Sequence, residues 1–340
     1  MACLEPLLTI AIPTYNRSGF LDKALRSISS QLVNVDLPIE LIVSDNCSTD
    51  NTGQIVCNYI NRGLAIRYIK NLENKGADFN IGQCYSEAQG KYVLTLGDDD
   101  ILIEGALANI LAIITNFPDL GILHLNWCLN TRIIQNKQPE IKIQRFDDYE
   151  HFLKMIGHNI TFISGNIIRS VFIDKVELKE YYNTNLIQLP LFLNAIINSK
   201  YNLVLTNPTI AVPFDNSGGY SICTVFGKNI HSIFEKLSST KKHVRSFNSI
   251  RNSLLTDCFP SWIRSLKSSE HQFENDDILK LLHPIYKSYL NYWLLNYVLI
   301  IQSNKLLKLT WPLFRYYAFA VRNVRKFLLG RLKYSTINLR

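Results

Sequence analysis

Apolar residues in the first hundred positions alternate between two periods. Residues 7–13 (LLTIAIP) form a short β-rich run that ends in a proline and a polar loop over 14–17. Leu21, Ala24, Leu25, Ile28 and Leu32 then recur at helical spacing, with Ser18 as the predicted N-cap. Residues 39–44 (IELIVS) read as a second strand running into the polar cluster Asp45-Asn46-Cys47-Ser48-Thr49-Asp50, and a helix follows over 51–61. A third strand is predicted over 65–69. Next comes a helix with Ala77, Ile81, Cys84 and Ala88 on one face, then a fourth strand over 91–96. That strand empties into Gly97-Asp98-Asp99-Asp100, and a helix bearing Leu107, Ile110, Leu111 and Ile114 comes after it.

Strands joined by helices of this length make βαβ units, which predicts a three-layer α/β/α fold around a mainly parallel sheet. Ligands of such sheets collect outside the carboxyl ends of the strands. The loops at 14–17, 45–50 and 98–100 all fall there. Further along, 122–125, 160–168 and 203–205 read as strands and 188–197 as a short helix. Past Phe226 the pattern is helical, with no further strand. The expected division is therefore an α/β domain over 1–226 and a helical region over 227–340.

Charge sharpens that division. The chain has 340 residues, 47% of them hydrophobic and 19% charged, which excludes disordered, collagen-like and disulfide-scaffold classes. Its net charge of +8 hides an asymmetry: 17 Lys/Arg against 22 Asp/Glu over 1–227, but 19 against 6 over 228–340. A helix is predicted from Pro312, at its first position, towards Leu332. Phe314, Tyr317, Val321, Val324 and Leu328 form its apolar stripe, with Lys308, Arg315, Arg322, Arg325, Lys326 and Lys333 mostly on another side. A basic, aromatic-rich amphipathic helix suits an anionic membrane surface. No nucleic-acid-binding module accompanies the charge, so nucleic acid is not an expected partner. No run reaches the roughly 18 apolar residues a spanning helix needs, and the N-terminus lacks signal-peptide character. The seven cysteines and seven histidines show no metal-ligand spacing. Together these features predict a cytoplasmic protein, peripheral on the inner face of the cytoplasmic membrane.

The chemistry concentrates at Asp98, Asp99 and Asp100. Three adjacent carboxylates repel one another unless something neutralises them. A hard divalent cation does so, held by one or two protein carboxylates and the oxygens of a diphosphate. The alternative is an acidic turn at the start of the next helix; the shared rim with two other polar loops favours the metal. Neither a G-x-G-x-x-G after the first strand nor a Walker motif occurs.

Four motifs in order, TIAIPTYNR (9–17), ELIVSDNCSTDNT (40–52), NLENKG (71–76) and AQGKYVLTLGDDDIL (88–102), resemble family 2 glycosyltransferases of the GT-A fold. The GDDD variant and FISGNIIRS (162–170) are similar to bacterial transferases that build surface polysaccharides of the O-antigen and capsule type. The resemblance implies that Pro13, Thr14 and Tyr15 lie against the nucleotide and Arg17 near its phosphates. Asp45 then binds the base, Asn74 and Gly76 border the ribose, and Asp98, Asp99 and Asp100 form the metal and ribose motif. Ser164, Gly165, Asn166 and Gln188 fall on the acceptor side. The implied reaction is Mn²⁺- or Mg²⁺-dependent hexosyl or deoxyhexosyl transfer from a nucleotide-sugar donor to a saccharide acceptor, lipid-linked at the membrane.

Two departures qualify it. Gly97 stands where the commoner form has its first Asp, so either Asp98 and Asp100 act one step later or Asp99 alone keeps the metal role. Gln188 lies where inverting members carry a Glu-Asp pair, and a neutral amide cannot take a proton. Asp215 is the candidate base, with Asp147 and Asp148 behind it, and retention or inversion stays open. The missing base also supports a rival reading, a non-catalytic nucleotide-sugar-binding or membrane-scaffold protein.

Overall fold

A computed structural model describes residues 5–33, 35–129, 140–213, 219–238, 243–267, 277–329 and 334–339. Asp215, Leu332 and Lys333 lie outside the described residues, as do the side chains of Arg322, Arg325, Lys326 and Leu328. The chain runs β1 (Leu8–Thr14), α1 (Ser18–Leu32), β2 (Ile39–Asp45), α2 (Thr52–Asn61), β3 (Arg67–Lys70), α3 (Ala77–Glu87), β4 (Tyr92–Thr95), β5 (Ile101–Leu102) and α4 (Ala106–Asn116). It continues with β6 (Ile122–Leu129), β7 (Ile141–Phe146), α5 (Tyr149–Ile156), β8 (Asn166–Arg169), α6 (Gln188–Asn198) and β9 (Asn202–Val212). Helices α7 (Ile230–Leu237), α8 (Val244–Ser253), α9 (Phe259–Leu266), α10 (Ile278–Tyr286), α11 (Val298–Ile301) and α12 (Asn304–Leu329) precede a last strand, β10 (Ser335–Leu339).

The strands form one sheet in the order β10-β7-β9-β6-β8-β4-β1-β2-β3, with β5 beside β9. The half from β4 to β3 is parallel throughout, as the βαβ pattern requires. β8 enters antiparallel between β4 and β6. Alternation along the strands divides the core between the two faces. Tyr92 and Leu94 pack with Leu21, Leu25 and Ile110 on one side, whereas Val93 packs with Tyr85 and Phe192 on the other. The second cluster continues into the C-terminal helices through Phe247, Phe259, Tyr286, Tyr292 and Leu307. Residues on either side of position 227 thus share one apolar core.

Local chemistry explains where the structure departs from the sequence pattern. Residues 160–165 form 3₁₀ turns rather than strand, and only Asn166–Arg169 pairs with β4 and β6. Their apolar run reflects burial around a bend, which has the same hydrophobic signature as a buried strand. Ser18 is the first helical residue, not the cap; its amide donates to Asp50 Oδ2 at 2.9 Å. A strand does follow Phe226: β10 pairs antiparallel with β7, and its alternation is too short to stand out. The last helix begins at Asn304 and carries Pro312 inside it. An internal proline costs about 3 kcal/mol; burial of Leu307 and packing of Trp311 and Phe314 against the core oppose that loss.

Candidate active site

β1 and β2 end side by side, with Thr14 opposite Asp45 as their last paired residues. β4 ends beside them and turns through Gly97 into the three carboxylates. The sheet therefore delivers Thr14, Asp45 and Asp98–Asp100 to one rim. Thr14 Oγ1 donates to Asp98 Oδ2 at 2.8 Å, and the Arg17 guanidinium grips Asp98 Oδ1 at 2.9 Å and Asp99 Oδ2 at 2.8 Å. Ser164 Oγ donates to Asp100 Oδ2 at 2.5 Å and accepts from the Gly97 amide at 2.8 Å. One cation thus faces three carboxylates. Burial pushes the Asp98 carboxyl up to about 6 and the Asp100 carboxyl up to about 7, against the pull of Arg17 on the first and of the Ser164 hydroxyl on the second.

The remaining rim residues brace the loops. Asp45 is fully buried and accepts from Tyr68 Oη at 2.5 Å and from the Ser48 amide at 2.8 Å. Asn46 Nδ2 donates to Asn74 Oδ1 at 2.6 Å and to the Gly76 carbonyl at 3.2 Å, tying the loop after β2 to the loop after β3. Gly76 has φ +86°, which a side chain would strain. Pro13 is the penultimate residue of β1, and Tyr15 is exposed on the surface of the rim.

A cavity of about 520 Å³ opens beside the carboxylates. Asp99, Asp100 and Gln188 line it together with Trp127, His158 and Trp262. Gln188 is nine-tenths buried; its Nε2 donates to the Thr161 carbonyl at 2.8 Å, while Oε1 has no partner. Ser164, Gly165 and Asn166 are buried behind this wall. Ser164 holds the carboxylate turn, and Asn166 Oδ1 meets His124 Nδ1 at 2.9 Å. Asp147 is engaged by Arg145 at 2.8 Å and Asp148 caps α5 through the Glu150 amide. Neither lines the cavity.

The donor set fits a hard divalent cation whose shell a ligand completes. Among the described residues, no three His, Cys, Asp or Glu side chains converge as a preformed cage. Asp99 and Asp100 instead offer carboxylate oxygens to the cavity within a cluster that carries surplus negative charge. Gly97 is fixed by the same packing. A Cβ there would lie 3.0 Å from Asp100 Oδ2 and 3.1 Å from Asp99 Oδ1.

Residues 9–167 match the family model described as glycosyl transferase family 2. Abequosyltransferase RfbV of Salmonella typhimurium is 39% identical over 103 residues, 30% of this chain and 31% of that protein. A Campylobacter jejuni enzyme named GalNAc(5)-diNAcBac-PP-undecaprenol beta-1,3-glucosyltransferase is 36% identical over 107 residues, 31% of this chain and 34% of its own. The chain thus spans about a third of the length of these curated relatives. Among solved structures, residues 1–349 of S. aureus TarS with UDP-GlcNAc align with a TM-score of 0.54 at 19% identity, covering 76% of this chain and 79% of that one. The architecture is accordingly the GT-A-like α/β/α fold.

Proposed function

We propose, from the match of residues 9–167 to the glycosyl transferase family 2 model, that the chain moves a sugar from a nucleotide-sugar to a saccharide acceptor in bacterial surface-polysaccharide synthesis. The carboxylate turn Asp98–Asp100 carries this reading, because it borders both the rim of the parallel strands and the 520 Å³ cavity. Pro13, Thr14, Tyr15, Asp45, Asn74 and Gly76 bind the nucleoside portion of the donor. Asp99 and Asp100, with Asp98 beside them, hold Mn²⁺ or Mg²⁺. When bound, the cation neutralises the diphosphate and the charge that develops on it as it leaves. Arg17 restrains Asp98 and Asp99 in the donor-free chain and supplies positive charge next to the phosphates. Thr14 and Ser164 fix the carboxylates by hydrogen bonds, so little reorganisation is needed when the donor arrives. The cavity takes the acceptor, with Gln188 in its wall.

Binding is tested by melting the protein with a panel of UDP-, GDP-, CDP- and dTDP-sugars, with and without Mn²⁺. One donor should raise the melting temperature, and only with the metal. The raised carboxyls of Asp98 and Asp100 set a pH dependence. Ionising them against burial lowers the stability of the metal-free chain as pH rises from about 4 to about 7. Protons also compete with Mn²⁺ over that range, so its stabilising effect should be small at pH 5.5 and full by pH 8. A metal effect that is flat or inverse with pH contradicts the assignment.

The acceptor is proposed to be lipid-linked, as the name of the Campylobacter relative describes for that protein. Helix α12 supports this reading. The predicted stripe divides: Phe314 packs inward, whereas Val324 faces out. A second row, Leu306, Leu309, Leu313, Tyr316 and Phe319, is also exposed, with Leu309, Leu313 and Tyr316 each more than seven-tenths so. Lys305, Lys308 and Arg315 are exposed on the same helix. Among the described residues no helix is long and apolar enough to cross a membrane; an apolar row beside basic residues fits adsorption to anionic lipid. Leu309→Ser/Leu313→Ser/Tyr316→Ser should reduce sedimentation with phosphatidylglycerol vesicles at least tenfold and leave donor binding unchanged. Equal sedimentation sinks the membrane role.

A further inference from the structure

Transfer to a hydroxyl requires a proton acceptor, and the position matching the family's usual carboxylate is Gln188. The cavity contains another group suited to the task. His158 sits in the 3₁₀ turn Gly157–Thr161, and it lines the same space as Asp99, Asp100 and Gln188. Its Nδ1 lies 2.8 Å from Ser253 Oγ and 3.8 Å from Asp257 Oδ2. The His158 amide also donates to Ser253 Oγ, at 2.7 Å, which fixes the turn to the end of α8. Asp257, in the π-helical segment Leu254–Cys258 that follows α8, accepts from Thr256 Oγ1 at 3.0 Å. A serine oxygen and a carboxylate on the Nδ1 side favour a proton there. The Nε2 lone pair then points away from that pair.

We propose that His158 is the proton acceptor of the transfer reaction, with Asp257 and Ser253 as its positioning residues; this rests on the glycosyltransferase reading. The acceptor hydroxyl gives its proton to His158 Nε2 as its oxygen bonds to the anomeric carbon. The bond from that carbon to the diphosphate oxygen breaks, and its electron pair leaves with the nucleoside diphosphate. The imidazolium, stabilised by Asp257, then returns the proton to solvent. Other acid–base groups of the cavity are less suited. Asp99 is bound by Arg17 and Asp100 by Ser164, and both belong to the metal motif. On the adjoining α5, His151 turns to Asp148 at 3.6 Å. The C-terminal helices thereby supply part of the catalytic apparatus, which explains why they share a core with the α/β domain.

The test uses the full chain, Mn²⁺ and the nucleotide-sugar from the panel that stabilises it, with nucleoside diphosphate release as the signal. His158→Gln should lower kcat by about 100-fold or more, the range of general-base catalysis, and abolish the acid limb of the pH profile. Donor-induced stabilisation should persist, showing an intact fold. Asp257→Asn should lower kcat less and move the acid limb to lower pH, because the carboxylate that favours the imidazolium is gone. A merely structural role would leave that limb in place. Wild-type kcat and an unchanged limb in His158→Gln overturn the assignment. If the wild-type chain turns over no donor, the transferase reading itself fails, and this assignment with it.

Discussion

Asp100→Ala is expected to reduce Mn²⁺-dependent release of nucleoside diphosphate on the order of 10³-fold, the scale of losing a buried electrostatic contact to the departing group. The side chain is nearly inaccessible and holds its place through Ser164, itself pinned by the Gly97 amide. Alanine removes one of three crowded carboxylates and leaves Arg17 on the other two, so no buried cation is stranded. The sign on stability is the reverse of the sign on activity. Burial holds the Asp100 carboxyl up at about 7, well above its value in an unfolded chain. Its ionisation therefore costs stability progressively from about pH 4 and in full above about pH 7, and the metal-free variant should melt no lower than the parent at pH 8. The Mn²⁺-induced rise in melting temperature should vanish. A variant that loses activity by unfolding would show a depressed melting temperature and would not count as support.

Gly90→Ala should act through the fold alone, with a loss of about 3 kcal/mol or failure to accumulate as folded protein. A Cβ at Gly90 would lie 2.5 Å from the Thr9 backbone nitrogen and 2.9 Å from the Leu8 carbonyl carbon. Both belong to β1, which is clamped between β2 and β4 and cannot shift without opening two ladders. The Gly90 amide also donates to Thr9 Oγ1 at 2.8 Å, anchoring the lead into β4. Denaturant unfolding checks this; a midpoint within experimental error of the parent would refute the close approach.

The sequence pattern reached the rim of the site because that rim is built from local units. Each of β1, β2 and β4 has its own apolar run and its own polar exit, so Thr14, Asp45 and Asp98–Asp100 could be grouped before any contact was known. The pairing of Arg17 with Asp98 and Asp99 was partly legible, since both lie in loops at that rim. The role of Ser164 was not. It sits 64 positions from Asp100, and only the antiparallel entry of β8 brings it beneath the carboxylate turn. The cavity was still less legible. Apart from Gln188 and the start of FISGNIIRS, its walls come from the 3₁₀ turn at His158 and the helices around Trp262, neither of which has a motif of its own. β10 escaped because five alternating residues at a chain end resemble any polar-apolar sequence. The outward row on α12 escaped because a shift of one residue, about 100° around the axis, exchanges the packed and exposed faces of a helix that is apolar on both.

Turnover is the most direct measurement. The full chain is incubated with Mn²⁺ and the stabilising nucleotide-sugar, and nucleoside diphosphate release is followed in parallel reactions with and without EDTA. Release that is saturable in donor, abolished by EDTA and restored by excess Mn²⁺ is the expected result. Donor binding without any release, or release that continues undiminished in EDTA, would contradict a metal-dependent glycosyltransferase.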